Sequence, residues 1–242
     1  MNRRILKELE LLEVSAIYER GARGTRHEGE PEDALSFAAP SSQPPLAPRA
    51  SRLVPDVSTA TLDQLRVVVR ECTACPLHAR RKQAVFGVGA ETAPWLFVGE
   101  GPGAVEDELG DPFVGQAGKL LDSMLAAIGC ERGREVYIAN VVKCRPPGNR
   151  TPTHEEAAAC APFLDRQIEL VRPKLIVALG KTAAIRLLAT EASLASLRGK
   201  VHRYKGIAVV VTYHPAYLLR SLPEKAKAWE DLLFARRTLA SA

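Results

Sequence analysis

The chain of 242 residues is 46% hydrophobic, 25% charged and 5% aromatic. That is enough apolar material for one substantial core with appendages, and too much for a disordered tail or a small disulfide knot. No apolar stretch approaches the roughly 20 residues a membrane helix needs, and the opening Met1-Asn2-Arg3-Arg4-Ile5-Leu6-Lys7-Glu8-Leu9-Glu10 carries acids where a secretory signal would be apolar, so a cytoplasmic protein is expected.

Residues 3–19 read as a short amphipathic helix with Ile5, Leu9, Leu12 and Ile17 on one face, a surface for docking on a partner or on the main domain. From Gly21 to Ser58 the chain turns to Gly, Ser, Pro and Ala, which cannot bury enough apolar surface to offset ordering, so a linker is expected. Residues 1–58 hold eight Lys and Arg against nine Asp and Glu, and the remainder holds 25 against 19. The overall charge of +5 therefore belongs to the C-terminal part, a modest bias toward a polyanionic partner.

From Thr61 onward short β-rich apolar runs alternate with helical patterns, the signature of an α/β domain with a mostly parallel sheet. Strands are predicted at Trp95–Val98, Val136–Val141, Leu175–Leu179 and Ile207–Thr212. Helices are predicted at Gly118–Ile128, Thr153–Val171 behind a capping box, Lys181–Ala189 and Pro223–Leu239, the last with Pro223 in its first turn. The division is thus a helix over 1–20, a linker over 21–58 and one domain over 59–242.

Open parallel sheets bind ligands at the carboxyl ends of their strands. There the first strand runs into Gly99-Glu100-Gly101-Pro102-Gly103, the second ends at Asn140, and the fourth ends in Tyr213-His214-Pro215. Alone, each has an ordinary explanation as a turn, a cap or a surface histidine; together they place Glu100, Asn140 and His214 on one rim. The glycine loop is neither G-x-G-x-x-G nor a P-loop, and Pro102 removes a backbone donor, so a nucleotide cofactor is set aside. Cys72 and Cys75 form a Cys-x-x-Cys, while Cys144 and Cys160 lie sixteen apart. Four thiolates can hold zinc or an iron-sulfur cluster, and spacing does not choose between them. Cys130, at a helix end, reads as a small packed hydrophobe.

The glycine loop, Glu106-Asp107, Asp111-Pro112-Phe113-Val114-Gly115, Asn140 through Pro147, Cys160 and His214-Pro215-Ala216-Tyr217-Leu218-Leu219-Arg220 follow one another in an order that resembles the type-4, iron-sulfur uracil-DNA glycosylases, from about Leu62 to Leu239. The resemblance implies a three-layer α/β/α fold around a mostly parallel four-stranded sheet. It also implies a [4Fe-4S] cluster on Cys72, Cys75, Cys144 and Cys160, structural in that family. The substrate would be uracil-containing DNA, single- or double-stranded, from which the uracil is flipped into a pocket. Phe113 would stack on the base, Asn140 would read O4 and N3–H, Glu106 would crowd C5 against thymine, and Gly101 would belong to the substrate loop. His214 would donate to O2 of the departing anion and Glu100 would stabilise the sugar cation or orient water, giving monofunctional hydrolysis to an abasic site. Tyr217 and Leu218 would enter the DNA, with Leu219 beside them. Lys143, Arg145 and Arg220, with Arg150, Lys181, Arg198 and Lys200, would contact phosphates.

Two rival readings stand beside this one. A relative that binds uracil-DNA with little turnover, or captures it covalently, would carry an inserted basic loop with a nucleophilic histidine; here Pro146 to Pro152 runs directly into the helix, leaving only His154 nearby. A zinc-stabilised module that binds nucleic acid without catalysis is the other. A monomer is the default for a protein that tracks along DNA, with the N-terminal helix as the contact for a repair or replication partner.

Overall fold

The computed structural model describes residues 55–241, so the expected helix over residues 3–19 and nearly all of the linker lie outside the described residues. The first half of the domain runs α1 (Leu62–Glu71), β1 (Val88–Gly89), β2 (Trp95–Gly99), α2 (Ala104–Leu109), α3 (Gln116–Ala127) and β3 (Val136–Asn140). The second half runs α4 (His154–Val171), β4 (Leu175–Leu179), α5 (Lys181–Leu188), α6 (Leu194–Leu197), β5 (His202–Tyr204), β6 (Ile207–Thr212), α7 (Pro215–Leu218) and α8 (Glu224–Ala240).

The sheet has the order β1-β3-β2-β4-β6-β5. The inner four strands are parallel, and β1 and β5 are antiparallel edges. The four predicted strands are thus the parallel centre, and the sheet is six-stranded where four were expected. Both edges escape a pattern search for a physical reason. β1 is two residues long, and β5 is the polar triplet His-Arg-Tyr. β5 joins β6 through Lys205-Gly206, both at positive φ (46° and 84°), a turn geometry usually announced by Asn-Gly and hidden here by the lysine.

The inner strands are buried on both faces, which is why they read as unbroken apolar runs rather than alternating ones. Leu96, Val98, Ile176 and Val209 join one core with α1, α4 and α5; Trp95, Phe97, Val177 and Val210 join the other with α3, α7 and α8. The result is the three-layer α/β/α arrangement. Capping boxes open α1 (Thr61 with Gln64) and α4 (Thr153 with Glu156), each satisfying main-chain donors that would otherwise face nothing. Pro223, expected inside the first turn of the last helix, sits at the N-cap of α8, one residue before the helix begins. Val57, assigned by sequence to the linker, is 4% exposed and packs in the first core, so the folded chain begins earlier than residue 59. Among the described residues no helix is long and apolar enough to cross a membrane.

Candidate active site

Because the inner strands are parallel and in register, with Gly99 paired to Asn140 and Leu179 to Thr212, their carboxyl ends open onto one rim. A cavity of about 440 Å³ lies there, lined by Glu100, Gly101, Glu106, Phe113, Asn140, His214, Tyr217 and Arg220 with neighbouring loop residues. The sequence thus assigned to one site residues that the fold does bring together from four loops.

Asn140 ends β3 at 2% exposure, and its Oδ1 is buried without a hydrogen-bond partner. Buried acceptors are normally satisfied, so this one marks a place for a ligand donor. Gly99 makes the arrangement fit: a Cβ there would lie 2.4 Å from Asn140 Oδ1 and 2.5 Å from Phe113 Cζ. Phe113 is 5% exposed, has φ of 54°, and stacks on His214 with ring centroids 5.5 Å apart and planes inclined by 30°.

His214 caps α7, its Nδ1 accepting from the Ala216 N–H at 3.1 Å. That bond makes Nδ1 the acceptor and leaves the proton of the neutral ring on Nε2. Burial, reinforced by the Arg220 charge and opposed by Glu106, lowers its pKa to about 4. The ring is therefore a neutral donor at physiological pH.

Glu100, just past β2, accepts a hydrogen bond from the Thr182 hydroxyl. Thr182 was missed, although it follows Gly180 at the end of β4, the one strand end on the rim left unread. Glu106 sits in the first turn of α2 and accepts from the amides of Val114 (3.0 Å) and Gly115 (2.9 Å), so the carboxylate also fixes the loop leading from Phe113 into α3.

Three residues expected to touch DNA are placed otherwise. Lys143 is 1% exposed and donates to the Asn140 carbonyl at 2.8 Å and to Gln167 Oε1 at 2.6 Å, so it reaches no phosphate. Leu218 is 1% exposed and packs against Leu120, Met124 and Trp229; α7 turns it inward and leaves Leu219, 41% exposed, as the outward apolar side chain. Arg198 is bound to the buried Asp231 at 2.6 Å. Arg145 donates to Asn149 Oδ1 and does not line the cavity. Tyr217, 40% exposed and stacked on Tyr213, and Arg220 stand at the cavity wall. His154 is exposed at the start of α4 and is not part of the lining.

Behind Asn140 a second, smaller cavity is lined by Cys72, Cys75, Cys144 and Cys160, with Arg81 and Lys143. Cys130 lies in the opposite core, where burial raises its thiol to about 11. Among the described residues no three metal-binding side chains converge on a single-ion site. The four thiols instead surround shared space, and their sulfurs already receive donors: Ala74 N–H to Cys72 at 3.4 Å, Arg81 Nη1 to Cys144 at 3.1 Å and Lys143 N–H to Cys160 at 3.3 Å. Burial pushes Cys160 up to about 12 and Cys75 and Cys144 upward, so thiolates here require a cationic group to hold them. Four thiols around one space, three of them with an N–H donor aimed at the sulfur, are the donor set that suits an iron-sulfur cluster.

Residues 86–233 match the model of the Uracil DNA glycosylase superfamily. The chain is 51% identical over 155 residues to the Type-4 uracil-DNA glycosylase of Thermotoga maritima, spanning 63% of this chain and 80% of the relative. It is 45% identical over 179 residues to the Type-4 uracil-DNA glycosylase of Pyrobaculum aerophilum, spanning 71% and 91%. A third relative, the Type-4 uracil-DNA glycosylase of Archaeoglobus fulgidus, is 46% identical over 167 residues, spanning 66% and 83%. With this rim, this cavity and these relatives, the chain belongs to the type-4 branch of the uracil-DNA glycosylase superfamily.

Proposed function

We propose that this protein excises uracil from DNA, flipping the nucleotide into the rim cavity and hydrolysing its N-glycosidic bond to leave an abasic site. The observation that carries the reading is the buried, unpartnered Oδ1 of Asn140 beside the Phe113 ring. An acceptor there suits uracil N3–H while the amide donates to O4; cytosine presents the opposite pattern and leaves the buried groups unsatisfied, which discriminates more strongly than shape. Phe113 would cover the base. Glu106, held by two amides, would stand as the wall against a C5 methyl, and Gly101 lets the loop pass close to Val142.

Bond cleavage leaves positive charge on the deoxyribose and negative charge on uracil, so catalysis is electrostatic. The Nε2–H of His214 would donate to O2 as the anion forms. Glu100, oriented by Thr182, would face the sugar cation or hold water. Among the described residues no lysine lines the cavity, which supports hydrolysis without a Schiff base. Cys72, Cys75, Cys144 and Cys160 would hold a [4Fe-4S] cluster, which when bound supplies a covalent tie among three chain segments rather than an atom for the reaction. Arg220, with Arg145 and Tyr217, would meet the DNA backbone and bases, on a monomer acting in the cytoplasm. Residues 1–20 would contact a repair or replication partner across the linker, a reading tested by pull-downs after deleting residues 1–54, which spares Val57.

The test is alkali-dependent cleavage of single- and double-stranded oligonucleotides carrying one U, with T and hypoxanthine controls. Glu100→Gln, Asn140→Ala and His214→Ala are expected to slow uracil release with fold and metal content intact. Wild-type rates in all three would remove the site. A heat- and SDS-stable adduct lost in His154→Ala would replace hydrolysis with covalent capture, and a colourless, zinc-loaded, inactive protein would favour the binding module.

A further inference from the structure

Phe113 occupies the left-handed region, φ 54°, where a residue with a Cβ is strained and persists only if its surroundings hold it. One side of that hold is Glu106, on the amides of residues 114 and 115. The other is Arg132, which lies outside the cavity lining, in the loop before β3. Arg132 Nη1 donates to the Pro112 carbonyl at 2.8 Å and Nη2 to the Phe113 carbonyl at 2.7 Å. Its Nε and Nη2 also bond Asp122 Oδ1 of α3, at 3.0 and 2.8 Å. The same carbonyl passes so close to Gly118 that a Cβ there would lie 1.9 Å from the Phe113 oxygen.

We infer that Arg132 is a positioning residue for substrate recognition, its guanidinium fork locking the Phe113 main chain in the conformation that presents the ring to the flipped base. The inference rests on the reading of Phe113 as the stacking aromatic. Asp122 neutralises the guanidinium and fixes its plane, so Arg132 acts through hydrogen-bond geometry and not as a phosphate-binding cation. A lysine could keep the charge but not the fork.

A double-mutant cycle separates this from a purely structural role. Single-turnover uracil release is measured for the wild type, Phe113→Ala, Arg132→Met and the double variant, below each melting transition. Each single substitution is expected to slow release by about 10- to 100-fold, as small misplacements do, and the double variant to be no slower than Phe113→Ala. Melting temperature should fall on loss of Arg132 in both backgrounds alike. Wild-type release by Arg132→Met, or losses that multiply in the double variant, overturns the inference. Wild-type release by Phe113→Ala overturns the stacking reading instead. If Arg132→Met does not fold, Asp122→Asn carries the same cycle: slower release only when Phe113 is present supports the inference, and equal slowing in both backgrounds overturns it.

Discussion

The Lys143 ammonium, 1% exposed, donates to the main-chain carbonyl of Asn140 at 2.8 Å, while the amide of the same lysine donates to Cys160 Sγ at 3.3 Å. One residue thus spans the strand end that carries Asn140 and the cavity that collects the thiols. Burial lowers its pKa to about 8, opposed by Cys160 and Cys144. Lys143→Met fills similar space and leaves two buried acceptors unsatisfied, at about 1–3 kcal/mol each. Denaturation should show the loss, while the dependence of DNA affinity on salt should not move. Arg220→Ala, at the cavity wall, should instead lower the salt slope by about 1.

The neutral state of His214 has a pH signature. Its folded pKa of about 4 lies below the ordinary 6.5, so the unfolded chain takes up the proton first as pH falls. Above pH 6.5 the group contributes nothing to pH dependence; between 6.5 and 4 stability declines by roughly 3 kcal/mol, then levels off. His214→Gln should flatten that part of the stability profile. Uracil release should be level from neutral pH down to about 5 and fall as pH approaches 4, where the ring becomes charged.

Gly99→Ala would push a methyl into Asn140 Oδ1 and the Phe113 ring at once. The expected result is a roughly 100-fold fall in uracil release, from displacement of the groups that orient the base. The accompanying stability loss should be about 1–3 kcal/mol, the usual cost of overpacking. Single-turnover kinetics beside thermal melting separates the two effects.

Cys160→Ser should abolish absorbance near 400 nm and lower the melting temperature by several degrees, because in the proposed cluster this thiol would join α4 to the Cys144 loop across the cavity they line. Cys130→Ser, in the opposite core, should keep the colour and iron content. Equal loss in both variants would mean that the colour reports general unfolding and not this ligand set.

The amino-acid order by itself determined the parallel centre of the sheet, the capped start of α4 and the rim residues Glu100, Asn140 and His214, whereas α1 and its capping box went unread. Strands buried on both faces must be continuously apolar, caps are local chemistry, and strand ends are where irregular polar residues stand out. Tertiary structure alone decided the edges, the direction of side chains beyond the rim and the partners they meet. Leu218 and Leu219 are adjacent apolar letters, and only the turn of α7 sends one into the core and the other out. Lys143 has the composition of a surface cation, but its acceptor Gln167 lies on α4, after an intervening loop. Arg132 shows no motif, because its work consists of bonds to the carbonyls of Pro112 and Phe113, and a carbonyl carries no mark of the residue that owns it.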